Sequence, residues 1–260
     1  MEYQLTAGKQ FVCKACLTEH PDRVFDLVTE NPLINVLNPH SIRVKIEETE
    51  EGLKNKGGGN ADDRDTFVQI ARWYAELNQH EKALDFLRIA LMKIQRADAE
   101  ILNLQGIYYD ELGDHERSEK AYHEADKATK TWGGPLFNLA LSFRKKGKYE
   151  EALKTINQAL EKVGQKGSYL TLKAMCLDSL SSKEKMQKTI SDAIVSFDPP
   201  ETLDDWELGW YTTAANLLEE DEYVKRAKKE NDKRRDPGKP PTDDVLRPSI
   251  RGDLVKKESL

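Results

Sequence analysis

The sequence predicts a mainly α-helical protein, built as a solenoid of four to five stacked helical hairpins with a small β segment at its N-terminus. The hairpin is clearest in residues 133–160, where apolar residues fall at helical spacing on both sides of Lys146 and Gly147. The same pattern recurs upstream and downstream at intervals of 35, 34 and 34 residues. Because one hairpin cannot bury its apolar face alone, hairpins repeated at a fixed period are expected to stack.

Six equivalent positions define the repeat, and the same three intervals separate the members of every set. Small residues let two helices approach closely, and bulky residues fill the space to the next hairpin. In order along the unit, the sets are the small residue of the first helix (Ala71, Gly106, Ala140, Ala174), the ring or leucine after it (Tyr74, Tyr109, Phe143, Leu177), the turn (Asn78, Gly113, Gly147, Ser181), the small residue that opens the second helix (Ala83, Ser118, Ala152, Met186), its bulky partner (Leu87, Tyr122, Ile156, Ile190) and the last small residue (Ala90, Ala125, Ala159, Ala193).

A helix–turn–helix unit of about 34 residues with these columns resembles the tetratricopeptide repeat family. The third unit is most similar, because its G-K-Y-E-E-A-L run at 147–153 is close to the family consensus. The fourth departs from the pattern, with Ser181 at the turn and Met186 at a small position. The resemblance implies a right-handed superhelix whose first helices line a concave face. The predicted units are repeats at about 64–98, 99–132, 133–166 and 167–200, and a degenerate capping unit at 203–234.

Residues 1–48 do not follow the repeat and are predicted to form a small β-rich segment of about three strands. Residues 11–17 and 24–28 are β-compatible runs, and residues 42–47 alternate apolar and charged side chains. Such a fragment is marginal alone, so it is expected to pack on the solenoid, pair with another chain or belong to a larger protein. Residues 49–63, with three consecutive glycines, are predicted to be a flexible linker.

Beyond residue 200 the period changes. Residues 203–219 are predicted to form an amphipathic helix with Trp206 and Trp210 on one face, and a second helix follows from 222 to about 234. Together they are expected to cap the stack, with the two tryptophans packed on the fourth repeat. Residues 236–260 contain several prolines and many charges, and are predicted to be a disordered tail.

A basic cluster in the second capping helix leaves two alternatives open. It could meet an anionic partner such as nucleic acid or a membrane, or it could be a solvated cap. Acidic residues are interleaved with it, and cations near a helix C-terminus are favourable in any case, which favours the cap. The cluster consists of Lys225, Arg226, Lys228, Lys229, Lys233, Arg234 and Arg235.

Cys13 and Cys16, with His20 after them, raise the possibility of a zinc site or a redox pair. Only three ligands are close in sequence, and on a strand Cys13 and Cys16 would point to opposite faces. No βαβ context for a redox pair is visible. Two partly buried cysteines are the favoured interpretation, so no metal or cofactor is predicted.

Composition narrows the class of protein. The chain has 260 residues, of which 38% are hydrophobic and 33% charged, values that suit a thin solenoid with a solvated tail. The net charge of -6 gives no indication of nucleic-acid binding. No apolar run approaches the roughly 20 residues of a membrane span, and the N-terminus lacks the apolar region of a signal peptide. Three cysteines are too few for a disulfide framework, which makes a reducing, cytoplasmic setting the expectation.

In the resembled family the first helices line a binding groove, and three columns of this sequence would face it. Apolar residues would form the middle of the groove and polar residues its rim, a composition that suits an amphipathic helix or an extended peptide. The alternative is that the apolar members pack against neighbouring helices. The predicted partner-binding residues are Val68, Arg72, Asn103, Ile107, Asp110, Phe137, Leu141, Arg144, Thr171, Met175 and Asp178.

The best-known variant of the family binds the C-terminal carboxylate of a chaperone through Lys and Asn in fixed columns. This sequence has Val68 and Arg72 where the first unit would need them, and Asn138 and Arg144 do not complete the set. An acidic C-terminal peptide is therefore not the favoured ligand. No constellation of an enzyme is present either, since no nucleophile motif of the G-x-S-x-G type occurs.

A second, weaker resemblance concerns the N-terminal segment. An E-N-P-L turn at 30–33 within a β-rich stretch, followed by helices, is similar to the end of the substrate-binding domain of DnaK-type chaperones. Two functions follow from the sequence. The first is a non-catalytic scaffold or adaptor that binds a protein or peptide in the groove, and the alternative is a chaperone-associated module that holds client chains.

Overall fold

The computed structural model describes residues 39–234, together with the backbone of residues 3–5 and 11–13. The chain divides into two compact units, Met1–Ile94 and Gln95–Leu260. Each unit has its own set of buried apolar residues. Among the described residues, none of the helices is long and apolar enough to span a membrane.

Residues 39–94 of the first unit form one helical hairpin and a helix that precedes it. Ile42, Ile46 and Leu53 of the first helix are buried where it packs on the second. The Tyr74 hydroxyl donates a hydrogen bond of 2.6 Å to Glu50 across this contact. Burial, together with the Glu50 carboxylate, raises the pKa of Tyr74 to about 12. The elements are β1 (Tyr3–Leu5), β2 (Phe11–Cys13), α1 (Pro39–Asn55), a 3-10 turn (Ala61–Asp63), α2 (Arg64–Glu76) and α3 (His80–Ile94).

The predicted three-stranded β segment is not supported. Residues 42–47, the expected third strand, belong to α1. The pattern of Ile42, Val44 and Ile46 fits a strand, but Ile42 and Ile46 are also four residues apart on one helical face. On a strand Val44 would be buried on the same face as Ile42 and Ile46, but it is 37% exposed. The pattern of burial is therefore that of a helix. β1 and β2 pair as short antiparallel strands, and residues 14–17 and 24–28 lie outside the described part of the chain.

The predicted linker begins later than expected. Residues 49–55 complete α1 rather than opening a loop, because Leu53 still has an apolar surface to bury. The glycines at 57–59 form the turn that follows, each with a positive φ between 77° and 87° that favours glycine. Gly59 also accepts a hydrogen bond of 2.8 Å from the Lys93 ammonium, which fixes the turn to α3.

In its described part, up to residue 234, the second unit contains four further helix pairs, which confirms the prediction of repeated helical hairpins. Side-chain carboxylates of Asp98, Asp114 and Asp204 accept hydrogen bonds from backbone amides in the first turns of three of its helices. The pairs are α4 (Ala99–Glu111) with α5 (His115–Lys127), α6 (Gly134–Lys145) with α7 (Tyr149–Val163), α8 (Gly167–Ser179) with α9 (Lys183–Phe197), and α10 (Asp205–Leu218) with α11 (Asp221–Arg234).

The turns inside the first four hairpins share one geometry. In each, the turn residue has a positive φ, 56° at Asn78 and Ser181 and 75° and 73° at Gly113 and Gly147. The amide after the turn residue bonds the carbonyl of the ring or leucine five residues earlier, at 2.9 Å in every case. This is the Schellman arrangement. The fourth repeat therefore keeps the turn although Ser181 replaces glycine.

The small and bulky columns meet inside each hairpin, as the repeat pattern predicts. Ala140 and Ile156 are fully buried in the hairpin of α6 and α7. In the hairpin of α4 and α5 the ring of Tyr122 lies directly on Gly106, where an added Cβ would come within 2.6 Å of two ring atoms. Only glycine therefore leaves space for the larger tyrosine side chain.

Candidate functional site

The first helices of the hairpins form one layer of the second unit. Successive first helices contact each other in the order α4, α6, α8 and α10. The surface presented by α4, α6 and α8 is called the A-helix face below. It is the face on which the predicted binding columns of this unit lie.

Most of the predicted groove residues are buried rather than exposed on this face. Phe137 is 2% exposed and Thr171 is inaccessible, so neither can contact a partner in this conformation. The predicted apolar middle of the groove is thus filled by the protein's own side chains. This agrees with the alternative that its apolar residues pack against neighbouring helices. The buried members in the second unit are Asn103, Ile107, Phe137, Leu141 and Thr171, and Val68 is buried in the first unit.

An aromatic cluster explains why Phe137 is buried. Its ring lies 4.6 Å from that of Tyr169 and 5.3 Å and 6.0 Å from those of Trp210 and Trp206, measured between centroids. Offset and edge-to-face contacts of this kind are favourable beyond the area that they bury. Helix α10 therefore reaches past the fourth repeat and covers part of α6.

Lys166 completes this cluster, and sequence analysis did not identify it. Its ammonium lies 5.4 Å from the centroid of the Tyr169 ring and 5.3 Å from that of Trp206. A cation at this distance from an aromatic face is attracted by the ring quadrupole. The position of Lys166 directly before α8 is the only sequence signal for this role.

The buried polar residues of the columns bond within the protein. The Asn138 amide donates to the Asn103 side-chain oxygen at 3.0 Å, which joins α6 to α4. The Thr171 hydroxyl donates to the Gly167 carbonyl of its own helix at 2.8 Å. These groups stabilise the stack, because a buried polar group without a partner is costly.

Four predicted residues remain accessible at the C-terminal ends of α4, α6 and α8. Asp110, Arg144 and Met175 are half-buried, and Asp178 is exposed. They are called the accessible strip below. Asp110 is already paired, with Lys146 Nζ at 3.3 Å and His115 Nδ1 at 3.4 Å from its carboxylate.

Arg144 is the unusual member of the strip. Its Nε is buried without a hydrogen-bond acceptor, and no carboxylate of the described residues pairs with its guanidinium. Its charge acts on the Cys176 thiol of α8, which places the guanidinium beside the helix that carries Met175 and Asp178. Burial outweighs this influence and raises the pKa of the Cys176 thiol to about 11, so the thiol is neutral near pH 7.

Arg72 is the remaining predicted residue. It is half-buried on α2 of the first unit, in the same column as Met175. Val68 and Arg72 therefore belong to a different compact unit from the accessible strip.

The basic cluster of α11 divides into two sets. Arg226 pairs with Asp198 at 2.7 Å, and Arg234 bonds Glu230, Asp205 and the Leu203 carbonyl. These arginines hold α11 to the chain before and within α10. Lys225, Lys228, Lys229 and Lys233 are exposed. Arg226 and Arg234 therefore have structural contacts, whereas the capping interpretation predicted a solvated cluster. Arg235 lies outside the described residues.

Within residues 39–234, no group of three or more His, Cys, Asp or Glu side chains is placed to hold a metal ion. The possible ligands Cys16 and His20 lie outside the described residues, and only the backbone of Cys13 is described. The prediction concerning these cysteines therefore stays a prediction.

Comparison with protein families decides the nature of the hairpins. Two sequence models of the tetratricopeptide repeat match, one over residues 99–131 and one over residues 136–168. These ranges coincide with the hairpins of α4–α5 and α6–α7. The chain contains tetratricopeptide repeats.

Solved structures with tetratricopeptide-like folds agree with this result. BtubC from P. vanneervenii superimposes with a TM-score of 0.55 at 19% identity, over 78% of this chain and 94% of that chain. The C-terminal part of a TPR repeat-containing protein from Cytophaga hutchinsonii gives 0.54 at 12% identity, over 74% and 75%. MamA gives 0.52 at 12% identity, over 65% and 100%. At these identities the likeness concerns the fold alone.

Curated proteins give no match to the sequence. The resemblance to DnaK-type chaperones is not supported by the family matches or by the structural neighbours, which concern the repeats. Residues 30–33, on which it rested, lie outside the described residues.

Proposed function

We propose that this protein is a non-catalytic interaction scaffold that binds a polypeptide segment on the A-helix face of its second unit. The proposal rests on one observation above all. The first helices of the repeats stack as one layer, and Arg144, Met175 and Asp178 remain accessible on it.

The binding surface in this proposal is smaller than the sequence predicts. The aromatic cluster around Phe137 occupies the middle of the groove, so a partner would lie along the C-terminal ends of α4, α6 and α8. Met175 offers a flexible apolar contact that adapts to different side chains. A narrow strip with one apolar contact and charges beside it suits an extended segment better than the broad apolar face of an amphipathic helix.

A scaffold role also agrees with the chemistry of the strip. Its accessible groups are an arginine, a thioether and two carboxylates, of which one is paired with Lys146. A general base or nucleophile would need a partner that adjusts its pKa or removes its proton. The nearby Cys176 thiol is held neutral by burial, which makes it a poor nucleophile.

Selection of binding peptides tests this proposal. Phage-displayed random dodecapeptides are selected on the immobilised full chain, and the best sequence is titrated by fluorescence anisotropy. Met175→Glu is expected to weaken binding at least about tenfold, since a charge would replace the apolar contact. Val195→Glu is the matched control, because Val195 is 74% exposed on the second helix of the same hairpin.

The outcome is decided by comparison of the two variants, after circular dichroism has shown that both are folded. Equal affinity of the wild type, Met175→Glu and Val195→Glu would contradict the site. Failure to select any peptide on the wild-type chain would contradict the proposed function itself.

A further inference from the structure

We infer that Arg144 is the anchor for a carboxylate side chain, aspartate or glutamate, in the polypeptide that binds the accessible strip. The inference rests on the proposed function and adds a chemical requirement to it.

Arg144 differs from three other part-buried arginines of the described chain. Arg226 and Arg234 have carboxylate partners, at 2.7 Å and 3.0 Å respectively, and Arg64 pairs with Asp65 at 2.7 Å. Arg144 forms no ion pair with a described residue, and its Nε is buried without an acceptor. Partial removal of a guanidinium from water without a counter-ion is unfavourable. An incoming carboxylate would remove this penalty.

The neighbouring groups cannot serve as that counter-ion. The Cys176 thiol is neutral, because burial raises its pKa to about 11. Asp110, one repeat earlier in the same column, is occupied by Lys146 and His115. Asp178, one repeat later, is exposed and forms no ion pair with Arg144. The positive charge of Arg144 is thus left for a ligand.

The same neighbours define which anion fits. Asp110 and Asp178 flank Arg144 in the column, so a doubly charged phosphate would meet two negative groups for one positive group. A single carboxylate meets less repulsion, and its two oxygens match the planar guanidinium. Met175 places an apolar contact near this anchor. The expected ligand is therefore an extended segment with an acidic residue close to an apolar residue.

Parallel peptide selections on the wild-type chain and on Arg144→Gln test the inference. Wild-type selections are expected to share an aspartate or glutamate at one fixed position, and Arg144→Gln selections to lose it. Lys145→Gln is the matched control, since Lys145 is the adjacent residue and is exposed. It removes the same charge and is expected to keep the acidic preference.

A double-mutant cycle on one selected peptide gives the quantitative result. Replacing its acidic residue by glutamine is expected to weaken binding to the wild type about 10-fold to 100-fold, the range of a charged hydrogen bond. The same peptide change should alter binding to Arg144→Gln by no more than about twofold. Thermal unfolding of Arg144→Gln should occur at or above the wild-type temperature, because no native partner is lost.

The two proposals fail in different ways. Two results would overturn the role of Arg144 alone. In the first, binding of the selected peptides depends on Met175 but the peptides share no acidic residue. In the second, the acidic preference is still found in selections on Arg144→Gln. A phosphorylated peptide that binds more tightly than its glutamate counterpart would overturn the choice of a carboxylate. Absence of any selected peptide would overturn both.

Discussion

Glycine at position 106 shows how one residue sets the packing of a repeat. Ala140 and Ala174, the equivalent residues of the next two repeats, occur with Ile156 and Ile190 at the bulky position, whereas Gly106 faces the larger ring of Tyr122. Tyr122 is 1% exposed, so its ring has no route away from the helix. In this repeat the residue on the first helix is smaller and the residue on the second helix is larger. The two side chains together therefore fill nearly the same volume between the helices as in the other repeats.

Gly106→Ala is expected to destabilise the protein by about 1–2 kcal/mol, as the steric clash with Tyr122 exceeds the gain in helix propensity. The control is Gly209→Ala in α10, where an added Cβ meets no atom within 4 Å. It should stabilise by about 0.5–1 kcal/mol. Chemical denaturation measures both, and a stable Gly106→Ala variant would contradict the packing.

Cys176 gives a prediction about pH. Burial raises its pKa from an ordinary value of 9.0 to about 11 in the folded protein. Because the folded state holds the thiol proton more tightly, the stability from this group is complete below pH 9 and is lost as the pH rises through 11. In a Cys13→Ser, Cys16→Ser background, alkylation of the native protein at pH 8 should be far slower than in denaturant. Equal rates would show that the thiol is accessible.

At the scale of the element, the turn within each hairpin is more constant than its sequence. Asn78 and Ser181 adopt the same left-handed backbone as Gly113 and Gly147. The recurring bond to the carbonyl at the ring or leucine position holds this geometry in all four hairpins. The turn hydrogen bond inside each hairpin therefore holds Asn78 and Ser181 in a conformation that is less favourable for them than for glycine.

A reciprocal pair of substitutions tests the turn. Ser181→Gly is expected to stabilise the protein by about 0.5–1 kcal/mol, since glycine adopts a positive φ without strain. Gly147→Ser should destabilise by a similar amount, although an added Cβ there meets no atom within 4 Å. Differential scanning calorimetry reports both, and shifts of the same sign in the two variants would refute the explanation.

The elements also show where sequence reasoning succeeds. The columns of small and bulky residues predict the helix pairs from α2 to α9 because these contacts are local and repeat at one period. The same reasoning fails for α1, since Ile42, Val44 and Ile46 fit a strand or a helix equally and only Leu53 and the contact with α2 decide between them. Local periodicity cannot supply that tertiary information.

At the scale of the whole molecule, the candidate site was harder to predict than the fold. The columns assign Phe137 and Met175 to one face, but burial of Phe137 depends on Trp206 and Trp210, about 70 residues further along the chain. No repeat pattern predicts how far α10 reaches. The pattern also cannot show that Asp110 is paired while Arg144 is not, because this depends on Lys146 and His115.

The second unit thus combines a closed interior with one short accessible strip. Helix α10 fills the middle of the A-helix face with aromatic rings, and Arg226 and Arg234 hold α11 in place. The proposed binding site is the edge at Arg144, Met175 and Asp178. A polypeptide bound at this edge would contact α6 and α8 of the second unit.

Nuclear magnetic resonance of the isotope-labelled full chain, titrated with a selected peptide, tests whether a polypeptide binds at this edge. Amide shift changes are expected to be concentrated at residues 141–146 and 174–179, and to be lost in Met175→Glu. Changes confined to α5, α7, α9 or the lysines of α11 would contradict it.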